Sequence, residues 1–329
     1  MELRTRNVNT AIEEGLWKFK VCAYEENSRN GKVLAIPEPL MLTYQHPAER
    51  VLFWPERDAN PVFHVMESLW MLAGRNDLAF VEYFNSRMAN FSDDGKKLNG
   101  AYGHRWRNRF GVDQLPSIIR HLSKNSESRR AVLQMWGTQE DLLLVDTSKD
   151  VCCNTQAYFD VRQGRLNMTV CNRSNDFIWG MCGANAVHFS VLQEFIARAL
   201  NAEVGVYRQF SNNAHIYTEL YDYTKYIDNP PNASDFDHYA NGDVAPFPLI
   251  NGTTWQRWLF ECGEFCDNPF SPPHTHNDVF FQEVAYPMAM VTWTRKNKKG
   301  DGMDFANKIA AHDWRLATQQ WIERRESAK

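Results

Sequence analysis

Between Gln156 and Leu200 the chain runs through two kinds of element in succession, and that order restricts the folds open to it. "QAYFDV" and "LNMTVCN" alternate around the turn "RQGR", the period-two pattern of a β-hairpin over 156–172. A long helix is predicted next, over roughly 184–200, because Val187, Val191 and Phe195, with Leu192 and Ile196, recur at helical spacing. The same two patterns interleave elsewhere. Val8, Ile12, Leu16 and Phe19 predict an early helix, and "ENSRNGKVLAI" a polar, Gly-containing turn running into a strand. "NPVFHVMESLWMLAGR" reads as a buried helix ended near Gly74, and "SRRAVLQMW" as a strand entered through two arginines. A final amphipathic helix carries Phe305, Ile309, Trp314, Leu316, Trp321 and Ile322. Strands and helices mix without regular βα alternation, and no Gly-rich dinucleotide or Walker signature is present, so the pattern favours an α+β domain over a doubly wound one.

The bulk properties narrow the function classes. An apolar content of 43% over 329 residues can fill a sizeable core, and a formal net charge of -4 predicts no global pull toward nucleic acid or membrane. "MELRTRNVNT" lacks the apolar region of a signal peptide and no apolar run approaches a membrane span, so a cytoplasmic protein is expected. Seven irregularly spaced cysteines fit reduced thiols better than a disulfide framework. Residues 226–285, rich in Pro, Asn, Asp and Gly, read as a loop-heavy insertion.

Several groups could carry chemistry. In "DVCCNTQAYF" two adjacent cysteines precede a strand; the residues themselves do not say whether either is more than a small core side chain. Arg29 lies in a turn, Arg129 and Arg130 are adjacent, and Arg173 precedes Ser174. Guanidinium forks with a hydroxyl suit phosphate oxygens, although each arginine alone also reads as a solvated surface residue. Glu67, inside an apolar helix, is costly unless paired or functional. His215 and Tyr217 are two apart and share a face if extended, so together they could grip a hydroxyl. Cys262, Cys266, His274 and His276 are enough ligands for zinc, but their loop is not a standard finger, and incidental residues with no metal are the favoured reading.

Read in order, "SRNG", "MESLWMLAG", "AYGHRWR", "SRRAVLQMW", "VCCN", "NRSND", a helix-opening Asn and "AHIY" resemble the thymidylate synthase superfamily over about residues 25–225. The resemblance implies a mixed β-sheet packed by helices, with sheet-to-sheet homodimers. It divides the chain into a catalytic core, 1–225, and a loop-rich insertion with a C-terminal helical extension of the same domain, 226–329. In the family the nucleophile lies twenty residues before the Arg of the Arg-Ser motif, which falls on Cys153 and leaves Cys152 as a packing residue. The resemblance further implies that 5,10-methylenetetrahydrofolate donates one carbon to C5 of a pyrimidine nucleoside monophosphate. Arg29, Arg173 and Ser174 would hold the phosphate, with Arg129 and Arg130 crossing from the other subunit. His215 and Tyr217 would hold the sugar 3′-hydroxyl, and Asp176 would belong to the binding residues. Glu67 would organise water for proton transfer, and Tyr102 would assist proton removal at C5.

Departures from the synthase pattern decide the expected product. Asn154 stands where synthases carry a His, Ala89 falls where the first Trp of a Trp-Asp-Glu-Trp-like stretch would be, and "RSND" is the form seen in phage deoxycytidylate hydroxymethylases. The synthase tail that closes over folate is not recognisable in "WIERRESAK". Such changes admit water to the exocyclic methylene, so a hydroxymethylase is expected; a methyl-forming synthase and a non-catalytic nucleotide- or RNA-binding relative are the alternatives. "WGMCGANAVHF" is one residue longer than the synthase pattern. Aligned from the following helix, the base-reading position is Asn185; aligned from Asp176 without a gap, it is Ala184. The helix register favours Asn185, whose amide suits uracil, so dUMP leads dCMP. No membrane and no nucleic acid partner is expected.

Overall fold

The computed structural model describes residues 1–219 and 223–327. Its strands are β1 (Glu2–Thr5), β2 (Tyr24–Ser28), β3 (Gly31–Ala35), β4 (Leu40–Tyr44), β5 (Ala131–Gln134), β6 (Asn154–Arg162), β7 (Arg165–Asn172), β8 (Asn175–Asp176), β9 (Glu203–Ser211) and β10 (Ala214–Tyr217). The helices are α1 (Val8–Cys22), α2 (Pro61–Leu72), α3 (Leu78–Phe84), α4 (Tyr102–Arg107), α5 (Gln114–Lys124), α6 (Thr138–Leu144), α7 (Asn185–Ala199), α8 (Thr224–Asp228), α9 (Trp255–Asp267), α10 (Tyr286–Lys296), α11 (Met303–Ala306) and α12 (His312–Ser327). This is an α+β arrangement.

Local chemistry sets the element ends. Asn7 caps α1 by accepting from the Asn9 and Thr10 amides, while the Thr10 hydroxyl accepts from the Asn7 amide in return. Pro61 opens α2 behind the Asn60 cap. Gln163 and Gly164 both take positive φ, 52° and 75°, which gives the β6–β7 hairpin the two-residue turn whose twist matches its strands.

Two sheets result. The larger has the order β1-β4-β9-β7-β6-β5, parallel at β1–β4 and β7–β9 and antiparallel elsewhere. Helices α1 and α7 pack on it, and α7 is buried from Asn185 to Ala197, as a helix between layers must be. On the opposite face Val132 and Tyr158, directly paired across β5 and β6, are each 41% exposed. The smaller sheet, β2-β3-β10-β8, brings the Arg29 turn beside His215 and Tyr217. One apolar core runs through the chain from Leu3 to Ile322.

Three expectations need correction. The loop-heavy stretch 226–285 contains α9, thirteen residues long, whose buried Trp258, Leu259, Cys262, Phe265 and Cys266 stripe packs on α2. The final amphipathic helix is two helices, α11 and α12, separated at 307–311. The segment before the Arg29 turn is itself a strand, β2, missed because YEENS is exposed throughout and has no apolar alternation to read. Among the described residues no helix is long and apolar enough to cross a membrane.

Candidate active site

The site grows from the start of β6. Tyr102, first residue of α4, turns its hydroxyl onto the chain and accepts from the Cys153 amide at 3.1 Å and the Asn154 amide at 3.2 Å. Two consecutive amides on one oxygen hold the backbone at Cys153 against a rigid helix. The Arg173 amide donates to the Cys153 carbonyl at 2.9 Å, and its guanidinium donates to the carbonyls of Cys152 (2.8 Å) and Val151 (2.9 Å). Arg29 reaches over from the β2–β3 turn to the Ser148 carbonyl at 3.2 Å.

These contacts open onto a cleft of about 600 Å³, where Cys153 meets Arg29, Arg173, Ser174, His215 and Tyr217. Cys152 is 1% exposed and its thiol lies 3.7 Å from the Gly100 carbonyl. Only the second of the two cysteines lines the cleft. Burial pushes both thiols up, Cys152 the further. At Cys153 burial is opposed by Arg173 and Arg29 and reinforced by Asp150, and burial wins over the two arginines.

His215 and Tyr217 share a face of β10, their rings edge to face at 5.0 Å. The His215 Nδ1 bonds Asn213 Oδ1 at 2.8 Å, and burial pushes its pKa down to about 4. The ring is therefore neutral near pH 7, with Nδ1 protonated and Nε2 left as an acceptor. Burial pushes the Tyr217 phenol up, so it keeps its proton.

The remaining expected residues fall in three places. Glu67 on α2 faces His188 on α7, Oε2 to Nε2 at 3.0 Å, and is not among the residues lining the Cys153 cleft. Asp176 ends β8; its Oδ1 accepts from the Trp179 amide, its Oδ2 has no hydrogen-bond partner among the described residues, and burial pushes it up to about 6. Asn154 donates to Asn185 Oδ1 at 3.4 Å. Asn185, not Ala184, opens α7: residues Phe177–Ala184 form a wide π turn just before it, the usual way to absorb one extra residue without shifting the next helix. Arg129 and Arg130 are exposed and stand outside this chain's cleft.

Trp136, Lys149, Asp150 and Asn213 also line the cleft and were not singled out. Asp150 and Asn213 lie within three residues of Cys153 and His215, so proximity to a suspect was the signal that could have found them. Cys262 and Cys266 sit one turn apart on α9, the Cys262 thiol donating to the Leu69 carbonyl at 3.2 Å, while His274 is exposed. Among the described residues no three His, Cys, Asp or Glu side chains form a metal-binding group.

Residues 47–232, more than half of the chain, match the family model for thymidylate synthase. The chain belongs to the thymidylate synthase family. It is 45% identical to a protein named deoxyuridylate hydroxymethyltransferase from Pseudomonas phage M6, over 99% of this chain and 95% of that one. A protein of the same name from Bacillus phage SP01 is 38% identical over 58% of this chain, which spans about half (52%) of its length. A thymidylate synthase of Symbiobacterium thermophilum is 31% identical over 47% of this chain and 59% of its own. As a thymidylate synthase family member the chain is a one-carbon transferase.

Proposed function

We propose that the chain forms 5-hydroxymethyl-dUMP, with Cys153 as nucleophile and a methylenetetrahydrofolate as one-carbon donor. The observation that carries this reading is the convergence of one cleft thiol, two arginines, a serine and a neutral His–Tyr pair in a chain 45% identical over nearly its full length to a named deoxyuridylate hydroxymethyltransferase.

Each residue then has a task. Arg29, Arg173 and Ser174 take the phosphate, a dianion matched to two guanidinium forks. Neutral His215 accepts the 3′-hydroxyl proton at Nε2 while the Tyr217 phenol donates to its oxygen. The Cys153 thiol loses its proton and adds to C6 of the ring, which turns C5 into a carbon nucleophile. Burial keeps the Tyr102 phenol protonated, so it would assist loss of the C5 proton by hydrogen bonding rather than as the base that takes it, and Glu67 with His188 would order the water that does.

The folate fits the residues present. Asp176 Oδ2 has no hydrogen-bond partner among the described residues, while its Oδ1 holds the Trp179 amide. Arg57 stacks over the Trp179 indole at 3.6 Å to the ring centre, so a group with N–H donors and an aromatic ring has an acceptor and a plane on neighbouring residues. Asp176 and Trp179 would hold it there, and when bound it supplies one carbon at the formaldehyde level. Water, rather than hydride, would then add at the transferred carbon once C5 has lost its proton, and the C6–S bond would break to release Cys153 and the hydroxymethyl product.

A homodimer belongs to the same proposal. The exposed Val132–Tyr158 face of the large sheet would pair with its copy, and Arg129 and Arg130, exposed at the entry to β5, would cross to the second phosphate site. The test is tritium release from 5-³H-dUMP and 5-³H-dCMP with methylenetetrahydrofolate, with mass analysis of the product. Release from dUMP with a hydroxymethyl product and tetrahydrofolate supports the proposal; a methyl product with dihydrofolate, or release from dCMP alone, refutes it.

A further inference from the structure

Behind the cleft wall four side-chain amides are joined in a row. The Gln209 Nε2 donates to the Met181 carbonyl at 2.8 Å. Gln209 Oε1 accepts from Asn175 Nδ2 at 3.1 Å, Asn175 Oδ1 accepts from Asn185 Nδ2 at 3.0 Å, and Asn185 Oδ1 accepts from Asn154 Nδ2 at 3.4 Å. All four residues are buried, Gln209 and Asn154 at 0% exposure.

The row has a polarity, and its end fixes it. A backbone carbonyl cannot donate, so the Gln209 group facing Met181 must be the NH₂. Every later amide then inherits its orientation, because each oxygen must face the next nitrogen. Met181 is itself held, its oxygen also accepting from the Tyr44 hydroxyl at 2.6 Å. The row ends at Asn154 Oδ1, a buried acceptor with no partner among the described residues, on the residue after Cys153.

Asn185 sits third in this row. Its oxygen keeps one lone pair and its nitrogen one hydrogen beyond the relay. Uracil presents a donor at N3 and an acceptor at O4; cytosine presents an acceptor at N3 and a donor at N4. An amide that can turn over matches either base, and one locked in place matches only one. We infer that Gln209 and Asn175 are specificity-determining positioning residues, which lock Asn185 in the single orientation with which it reads the pyrimidine. The inference rests on the proposed role of Asn185 at the base.

Gly180 is an independent sign that the relay is built to fit. A Cβ there would lie 2.1 Å from Asn175 Oδ1 and 3.5 Å from Asn185 Nδ2. Gly180 belongs to the π turn that absorbs the extra residue before α7, so this turn both keeps Asn185 in register and leaves room for the relay.

The experiment compares kcat/KM for tritium release from 5-³H-dUMP and 5-³H-dCMP in the parent, Gln209→Met and Gly180→Ala. Gln209→Met keeps side-chain length but removes both the anchor and the acceptor. Loss of at least tenfold of the parent's base preference in either variant, carried mainly by KM, is the expected result. A parent preference that survives within twofold in both variants overturns the relay while leaving the Asn185 reading intact. A parent that uses both bases equally overturns the Asn185 reading, and the relay with it. If a variant folds but does not turn over, the ratio of dUMP to dCMP dissociation constants by equilibrium titration gives the same decision. Gly180→Ala leaves Gln209 intact, so it keeps the test alive if the strand substitution prevents folding.

Discussion

Two carboxylates, Glu261 on α9 and Asp176 at the end of β8, have been treated by the chain in opposite ways. Both oxygens of Glu261 are taken: Arg257 donates at 2.6 Å, the Asn277 side chain at 2.6 Å, and the Asn277 and Asp278 amides at 3.0 Å and 2.9 Å. Burial would raise its pKa, but these bonds win and hold it below the usual carboxylate range. Asp176 has the Trp179 amide on Oδ1 and no hydrogen-bond partner on Oδ2 among the described residues, and burial drives it up to about 6 against the pull of the Trp179, Tyr217 and Ile178 backbones and of Arg57. Glu261 stitches a loop onto the core, whereas Asp176 keeps one acceptor unpaired among the described residues. An unsatisfied group out of reach of solvent costs stability, and a ligand that completes it is one reason for it to persist. On the proposed function, the difference separates a residue that holds the fold from one that serves the site.

The sharpest way to break this distinction lies in the adjacent cysteines. Cys153→Ala should reduce turnover by at least a thousandfold and leave the thermal midpoint within a degree or two, since the removed sulfur lines the cleft. Cys152→Ala should do the reverse, keeping most of the turnover while losing about 1 kcal/mol of stability from a small core void. Steady-state assays and thermal melts on both variants check the pair. A dead Cys152 variant beside an active Cys153 variant would reverse the assignment of the nucleophile.

Next comes the carboxylate pair itself. Glu261→Ala should cost about 2 kcal/mol in denaturant unfolding, because it strands the Asn277 and Asp278 amides and the Asn277 side chain, whereas Arg257 keeps solvent and Glu264. The KM values of any remaining folded enzyme should not move. Asp176→Asn should leave stability at pH 7 unchanged or raised, since the group is held in a site that disfavours its charge, and should raise the KM for folate at least tenfold. Equal stability losses in the two variants would mean that Asp176 is structural after all.

Much of this architecture was legible in the sequence where periodicity was clean. The β6–β7 hairpin follows from alternation around a Gln-Gly turn, and α1 and α7 from apolar stripes. What stayed hidden is of two kinds. The α9 helix was masked by its surroundings, since a polar-rich WQRWLFECGEFCD lies between Pro-, Asn- and Gly-rich segments and its stripe is recognisable only against α2. The amide relay was hidden for another reason. Gln209 occupies an inward position of β9, so alternation marks it as a buried polar residue, but its partners Asn175 and Met181 come from other elements and only the fold assembles them. The thymidylate synthase motifs pointed to Cys153, Arg29, Arg173 and His215 through order and spacing. Of these, spacing along β10 could pair His215 with Tyr217 unaided.

A smaller effect should separate His215 from Asp176 by pH. His215 falls from an ordinary 6.5 to about 4 on folding, so between those values the unfolded chain binds a proton that the folded chain refuses. Its contribution to stability is therefore lost as pH falls from about 6.5 to 4, by roughly 3 kcal/mol at the limit. Asp176 rises from 3.8 to about 6, so the folded chain binds the extra proton and its contribution improves over nearly the same fall in pH. The two slopes oppose each other in the parent. His215→Gln should flatten or reverse the loss of stability toward pH 4.5, and Asp176→Asn should steepen it, both read from urea midpoints across pH 4–7.

The smallest expected change concerns Asp150, which lies in the cleft and adds to the burial that keeps the Cys153 thiol protonated. Asp150 is itself held high by burial, although the Gly100 amide bonds its Oδ2 at 2.7 Å. Asp150→Asn retains the shape and one acceptor while removing the negative charge. The pH midpoint for alkylation of Cys153 by iodoacetamide should then fall, because Arg173 and Arg29 act on the thiolate unopposed. A Cys152→Ala background assigns the modified residue by mass. An unmoved midpoint would mean that Asp150 is already neutral in the folded chain, leaving burial alone to raise the thiol; a rise would mean that its carboxylate had been aligning the arginines, and that the balance of charges around Cys153 runs opposite to the one argued from the cleft.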